Sequence, residues 1–233
     1  MVFLKMKTNR ERGNALIYVL IAIALFAALS MTLGRQTNTS EASSLSDEKA
    51  ELYATQLISY AAQAKSAVDQ MIFSGTDVAD LDFVRPGEAG FEAGAMADKI
   101  KRVYHPDGGG LIAAQLPEEA LDMVMVNNGA VPGWYMVHNV IDWAKTGAQD
   151  VILTAYPVNG KVCQKINEKV IGDAAMPLIT DDEPYSYFID ASSPLVTDPS
   201  GLFNCTGCYK RSSLCIKDSN DGMYAFFTVL ADQ

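Results

Sequence analysis

The chain has 233 residues and a formal charge of −10, with 28 acidic against 18 basic side chains. Four bases and one acid fall within residues 1–13, so that opening carries +3 and the remainder −13. A remainder that acidic is a poor match for a phosphate backbone, which rewards clustered Lys and Arg, and nucleic acid is not expected as its partner.

The opening holds Lys5, Lys7, Arg10 and Arg12, ends in Gly13, and reads as a processing leader rather than as structure. Residues 14–33, NALIYVLIAIALFAALSMTL, contain no formal charge. As a helix rising about 1.5 Å per residue they would span about 30 Å, the thickness of a bilayer hydrocarbon core, so this stretch is expected to be a membrane-inserting helix. The bases before it, and the acids Glu41, Asp47 and Glu48 that follow Arg35, put the amino terminus in the cytoplasm and the rest of the chain on the exported side. A general secretory signal is the alternative, with residues 15–27 as its apolar region and Ala28-Leu29-Ser30 as a small-x-small cleavage site. Against it, the apolar run continues through Met31 and Leu33.

From residue 45 to 72 the pattern is that of an amphipathic helix. Leu45, Leu52, Tyr53, Leu57, Tyr60, Ala61, Ala64, Val68, Met71 and Ile72 recur at three- and four-residue steps, and no Pro interrupts residues 14–72. One helix is therefore expected to run from the apolar stretch into this one, with a kink or fraying across the Gly-, Thr-, Asn- and Ser-rich residues 34–44. Residues 73–94 read as loop, and residues 95–104 as a short helix stopped by Pro106 and the three glycines 108–110. No Lys-Ser or Lys-Thr follows those glycines, so a plain turn is expected there rather than a phosphate loop.

Residues 121–126, 134–143 and 151–156 are rich in β-branched and aromatic side chains between turn signals, which predicts a meander of antiparallel strands. Asn159 then offers an N-cap to a short helix that lines up Val162, Cys163, Ile166 and Val170 and ends at Gly172. Residues 173–222 have little periodicity and read as a long irregular excursion. Residues 224–230, YAFFTVL, are apolar on both faces and predict a terminal strand central in the sheet.

Cys163, Cys205, Cys208 and Cys215 all lie in the last third, on the expected exported side, where an even number of cysteines predicts two disulfides. Three connectivities are open. Cys205 and Cys208 have the spacing of a metal or redox pair, yet the two histidines, His105 and His138, are far away in sequence. Two acidic clusters offer oxygens to a hard cation such as calcium, Asp181 with Asp182 and Glu183, and Asp218 with Asn220 and Asp221. The second reads DSNDG and fails EF-hand spacing, so an Asp- and Gly-rich turn is its ordinary reading. Neither histidine sits in a Ser, Cys or metal motif, and no Gly-x-Ser-x-Gly or His-Glu-x-x-His occurs; no enzyme is expected.

A basic leader ending in Gly13, an uncharged helix directly after it, an amphipathic extension and a cysteine-bearing carboxyl-terminal domain together resemble the type IV pilins and pseudopilins. The resemblance rests on layout and is carried by the first seventy or so residues. It implies an α+β fold, in which a long amino-terminal membrane-inserting helix continues into an amphipathic helix packed on an antiparallel sheet. The chain would then divide into a leader at 1–13, an assembly helix at 14–33, an amphipathic extension at 34–72 and an exported domain at 73–233. It further implies that a prepilin peptidase at the inner membrane cuts after Gly13 and methylates Asn14, and that the mature chain packs with other pilin or pseudopilin subunits into a filament. Asn14 stands where the family usually has Phe or Met, and Tyr18 where the fifth mature residue is usually Glu. That carboxylate is thought to pair with a neighbour's amino terminus, and its absence is tolerated in tip pseudopilins, so Tyr18 implies a minor or tip-type subunit. Some pseudopilins hold calcium in a carboxyl-terminal loop. Two other readings compete: a monomeric, single-pass anchored domain that binds a ligand or partner outside, and a secreted protein released after Ser30.

Overall fold

The computed structural model describes residues 18–19, 21–26, 45–139, 149–179, 188–189, 205, 207–208 and 210–232. The chain forms two units, Met1–Ser44 and Leu45–Gln233. In the first, the described residues are helical and exposed. The expectation of a membrane-inserting helix is corrected here: among the described residues no helix is long and apolar enough to cross a membrane. Among the described residues the longest helix belongs to the second unit and carries charges along its length.

That helix, α1, is Asp47–Phe73, and it begins afresh rather than continuing an earlier one. Ser46 has extended backbone, φ −65° and ψ 151°, and its hydroxyl accepts from the Lys49 N–H. Asp47 and Glu48 add negative charge in the first turn, where the helix dipole favours it. Leu57, Ala61, Ala64, Val68 and Met71 are buried as their spacing predicts, while Ala50, Ala54 and Ala67 join them. Leu52, expected on the same stripe, is 54% exposed. The buried face is thus mostly alanine, which lets the helix backbone approach its neighbours closely.

Between α1 and the sheet the chain is largely irregular. The helix expected over 95–104 shrinks to α2, Met96–Lys99, because the chain turns at Arg102. The buried Arg102 guanidinium donates to Asp82 at 3.0 Å and to the Phe91 and Ala93 carbonyls at 2.8 and 2.7 Å, tying three loops together. The glycine run is a turn with a steric reason, since a Cβ on Gly108 would strike the Arg102 carbonyl oxygen. The strand expected over 121–126 is instead a helical turn, α3, Met123–Asn127. Asp122 caps it by accepting from the Val124 and Met125 N–H groups, a local interaction that outweighs the β-propensity of the run.

The sheet contains β1 (Gly133–Asn139), β2 (Asp150–Tyr156), β3 (Leu178–Ile179), β4 (Ser213–Asp218) and β5 (Tyr224–Ala231). Their order is β1-β2-β5-β4-β3, so β5 is the middle strand. The pairs β1–β2, β2–β5 and β5–β4 are antiparallel, whereas the two-residue β3 joins β4 in parallel. β3 and β4 both arise inside the expected irregular excursion, and the far end of the 134–143 strand, residues 140–143, lies outside the described residues.

Helix α4, Gly160–Ile171, matches its expectation at both ends. The Asn159 side chain accepts from the Lys161 N–H at 2.9 Å, and Gly172 closes it at φ 74°. Together α1 and α4 cover one face of the sheet, burying Trp134, Met136, Leu153, Phe226 and Leu230. On the opposite face Val137, Ile152, Leu214, Ile216 and Phe227 pack with Phe188, Ile189, Cys205 and Cys208. Every residue of β2 is buried, as a strand covered on both sides requires.

Candidate functional site: a groove beside the central strand

A groove of about 810 Å³ is lined by α1, the last turn of α4, residues 210–213 and β5. Its volume lies within the roughly 300–1,000 Å³ of ordinary ligand sites. Ala61, Phe226 and Leu230 are buried in its floor, and Ile58, Ala62 and Val170 add apolar surface. The space exists because α1 presents two consecutive alanines, Ala61 and Ala62, toward β5 instead of larger side chains.

The polar groups around the groove are largely engaged with one another. Lys65 Nζ donates to the Leu230 carbonyl at 3.0 Å and to the Asp69 carboxylate at 3.0 Å. The Ser213 and Thr228 hydroxyls meet at 2.9 Å, and the Val229 N–H donates to the Ser212 carbonyl at 2.8 Å. Lys65 and Lys210 contribute two positive charges, against Asp232 in the lining and Asp69 on Lys65. The surface offered is therefore apolar and without net charge, in a chain that is otherwise strongly acidic. Such a site encloses an apolar body and gains from removing it from water.

Among the described residues, none of the site residues singled out by sequence lines the groove. Gly13 and Asn14 fall outside the described residues, as do Asp181, Asp182 and Glu183. Tyr18 is helical and 66% exposed. The cysteines form two bridges, Cys163–Cys215 and Cys205–Cys208, separated by 52 and 3 residues in sequence. The first ties α4 to β4. The second is local and sits in the core on the other face, so only one bridge joins the helix bearing Cys163 to the sheet.

Asp218 ends β4 and is buried, with its carboxylate accepting from the Asn220 N–H at 2.9 Å. Burial, aided by the nearby charge of Asp221, pushes its pKa up, while the backbone bond from Asn220 opposes that shift. Asp221 itself is exposed. This is an Asx turn within the β4–β5 hairpin, and among the described residues no group of three or more His, Cys, Asp or Glu side chains is placed to hold a metal.

His105 is buried against Phe91, with ring centroids 5.2 Å apart, and its Nδ1 accepts from the Asp107 N–H at 3.1 Å. His138 packs on Phe83 and places Nε2 2.9 Å from the Leu81 carbonyl. His138 thus joins β1 to the loop at Leu81, whereas His105 packs within the irregular region itself. Neither a protein-family model, a curated protein nor a solved structure matches this chain.

Sequence reading missed the groove as a site. The signal it left is the small Ala62 next to the stripe residue Ala61 on α1, but the opposing wall comes from β5, about 165 residues away.

Proposed function

We propose that this chain is a structural subunit, of minor or tip type, in a type IV pilus-like or type II secretion pseudopilus filament. The observation that carries this reading is the contrast between the two units. Tyr18, Val19, Ile21, Ile23, Leu25 and Phe26 are each at least half exposed, so the first unit displays apolar surface that needs a partner. The second unit is a domain with a capped helix packed on a sheet and two disulfides, as suits an exported, oxidising compartment. A prepilin peptidase would remove residues 1–13, freeing Asn14, and other subunits would cover the apolar segment. Tyr18 supplies no carboxylate, which favours a position at the tip or at low abundance over one repeated along the shaft.

The test is the residue before the cut. A peptidase that fits closely around Gly13 has no room for a large side chain, so Gly13→Leu should leave the leader attached. Processing of that variant to the same mass as the parent protein would refute the reading.

The groove favours a second reading from another class, an exported domain that binds an apolar ligand. In that case the leader need not be cut at Gly13, and Ala62→Trp, which fills the groove, would abolish ligand binding without altering the amino terminus.

A further inference from the structure

We infer that the groove beside β5 binds an uncharged amphiphile, a hydrocarbon body carrying one oxygen head such as a hydroxyl or an ester. This rests on the reading of the groove as a ligand site, not on the filament reading. It adds which group of the ligand the protein holds and which charges it refuses.

The groove follows β5. Phe226, Thr228 and Leu230 alternate along the strand on one face, so the floor from Phe226 to Leu230 runs about 13 Å. Helix α4 stops at Gly172, and past Val170 it no longer covers this strip, while Ile58, Ala61 and Ala62 of α1 form the other wall.

The ends of the floor are apolar and its middle is not. Thr228 stands opposite Ser213 of β4, with their hydroxyl oxygens 2.9 Å apart. The two hydroxyls carry two protons, and the bond between them uses one. Thr228 is 9% exposed, so the spare O–H lies in a largely buried place, where a ligand oxygen would satisfy it. The pair also keeps lone pairs, and so can both donate to and accept from the head of a ligand.

Charge decides what that head can be. Lys65 is already held by the Asp69 carboxylate and the Leu230 carbonyl, each at 3.0 Å. With Lys210 and Asp232 also in the lining, neither an anionic nor a cationic head meets an excess of the opposite charge. A charged head drawn into the groove would give up its water without that compensation, whereas an uncharged oxygen needs only the hydroxyl pair.

The four cysteines are bridged, so Ala62→Cys in the full chain supplies a single free thiol at the groove. Its alkylation by a small maleimide is timed with decanol, decanoate or decylammonium, each below the concentration at which it self-associates. Decanol at about ten times its dissociation constant should slow alkylation about tenfold, and each charged chain should need at least about tenfold more to match it. Removing both hydroxyls together, Ser213→Ala with Thr228→Val, should weaken decanol about two- to tenfold. An unchanged alkylation rate without ligand shows that the groove is intact in that variant. A charged chain that protects as well as decanol overturns the inference and leaves the groove a ligand site, and so does protection indifferent to the two hydroxyls. Alkylation that slows with protein concentration instead would put a second copy in the groove and overturn it too. If none of the three chains slows alkylation, the ligand reading falls with the inference.

Discussion

The helix-covered face of the sheet and its opposite face are built by different means. On the first, α1 and α4 bring regular apolar stripes to β5 and β2, with caps at Ser46, Asn159 and Gly172 defining where each helix starts or stops. On the second, aromatic side chains from short segments fill the space, with Phe188 stacked 5.2 Å from Phe227 and the Cys205–Cys208 bridge packed beside them. A periodic element announces its buried face in sequence. A face assembled from single side chains does not, because no spacing relates its members.

If the irregular face is nonetheless fully packed, truncating it should cost as much as truncating the other. Phe227→Ala is expected to destabilise the domain by about 3–5 kcal/mol, and Leu57→Ala on the helical face by about 2–5 kcal/mol. Chemical denaturation of the two variants measures both. A loss below about 1 kcal/mol for Phe227→Ala would mean the second face is loosely filled.

The bridges sharpen the same contrast. On a chain-entropy basis, removing Cys163–Cys215, which closes a loop of some fifty residues, should cost about 4 kcal/mol, against about 2 kcal/mol for the short Cys205–Cys208 loop. Paired Cys→Ala variants, unfolded without reductant, give the two values directly. Equal losses would show that loop length is not what sets their worth.

Several elements of the helical side were legible in the sequence. Asn159 and Gly172 bounded α4, and the two-sided apolar run of 224–230 located β5 at the centre of the sheet. Two elements were hidden. Asp122 turned a strand-like run into α3 by capping it, and β4 is only six residues long within a stretch otherwise read as irregular. The groove was hidden for a geometric reason, since its walls are joined by a contact, Lys65 to Leu230, that no local pattern encodes.

Asn167 joins the two modes of construction. It is fully buried on α4, and its side chain accepts from the Cys215 N–H at 2.8 Å and donates to the Cys215 and Ala175 carbonyls at 2.8 and 2.9 Å, standing in for a neighbouring strand. Asn167→Ala should cost about 1–3 kcal/mol for each buried group left without a partner. Thermal melts and amide exchange at Cys215 would register it, and unchanged protection there would contradict the assignment.

The smallest expected effect concerns Asp218. Its raised pKa means that the native state holds a proton more tightly than the unfolded chain does. Stability from this group is therefore greatest in acid and declines as pH rises from about 4 through the raised value. Asp218→Asn keeps an acceptor for the Asn220 N–H, so it should stabilise the domain at pH 7 and leave it unchanged near pH 3. A variant less stable at pH 7 than its parent would show that the charge is needed.

Intact-mass analysis of the protein recovered from its native cell bears most directly on the proposed filament role. The expected species begins at Asn14, carries one added methyl group and retains both disulfides. A chain with residues 1–13 still attached, or one that begins at Met31, would contradict that role.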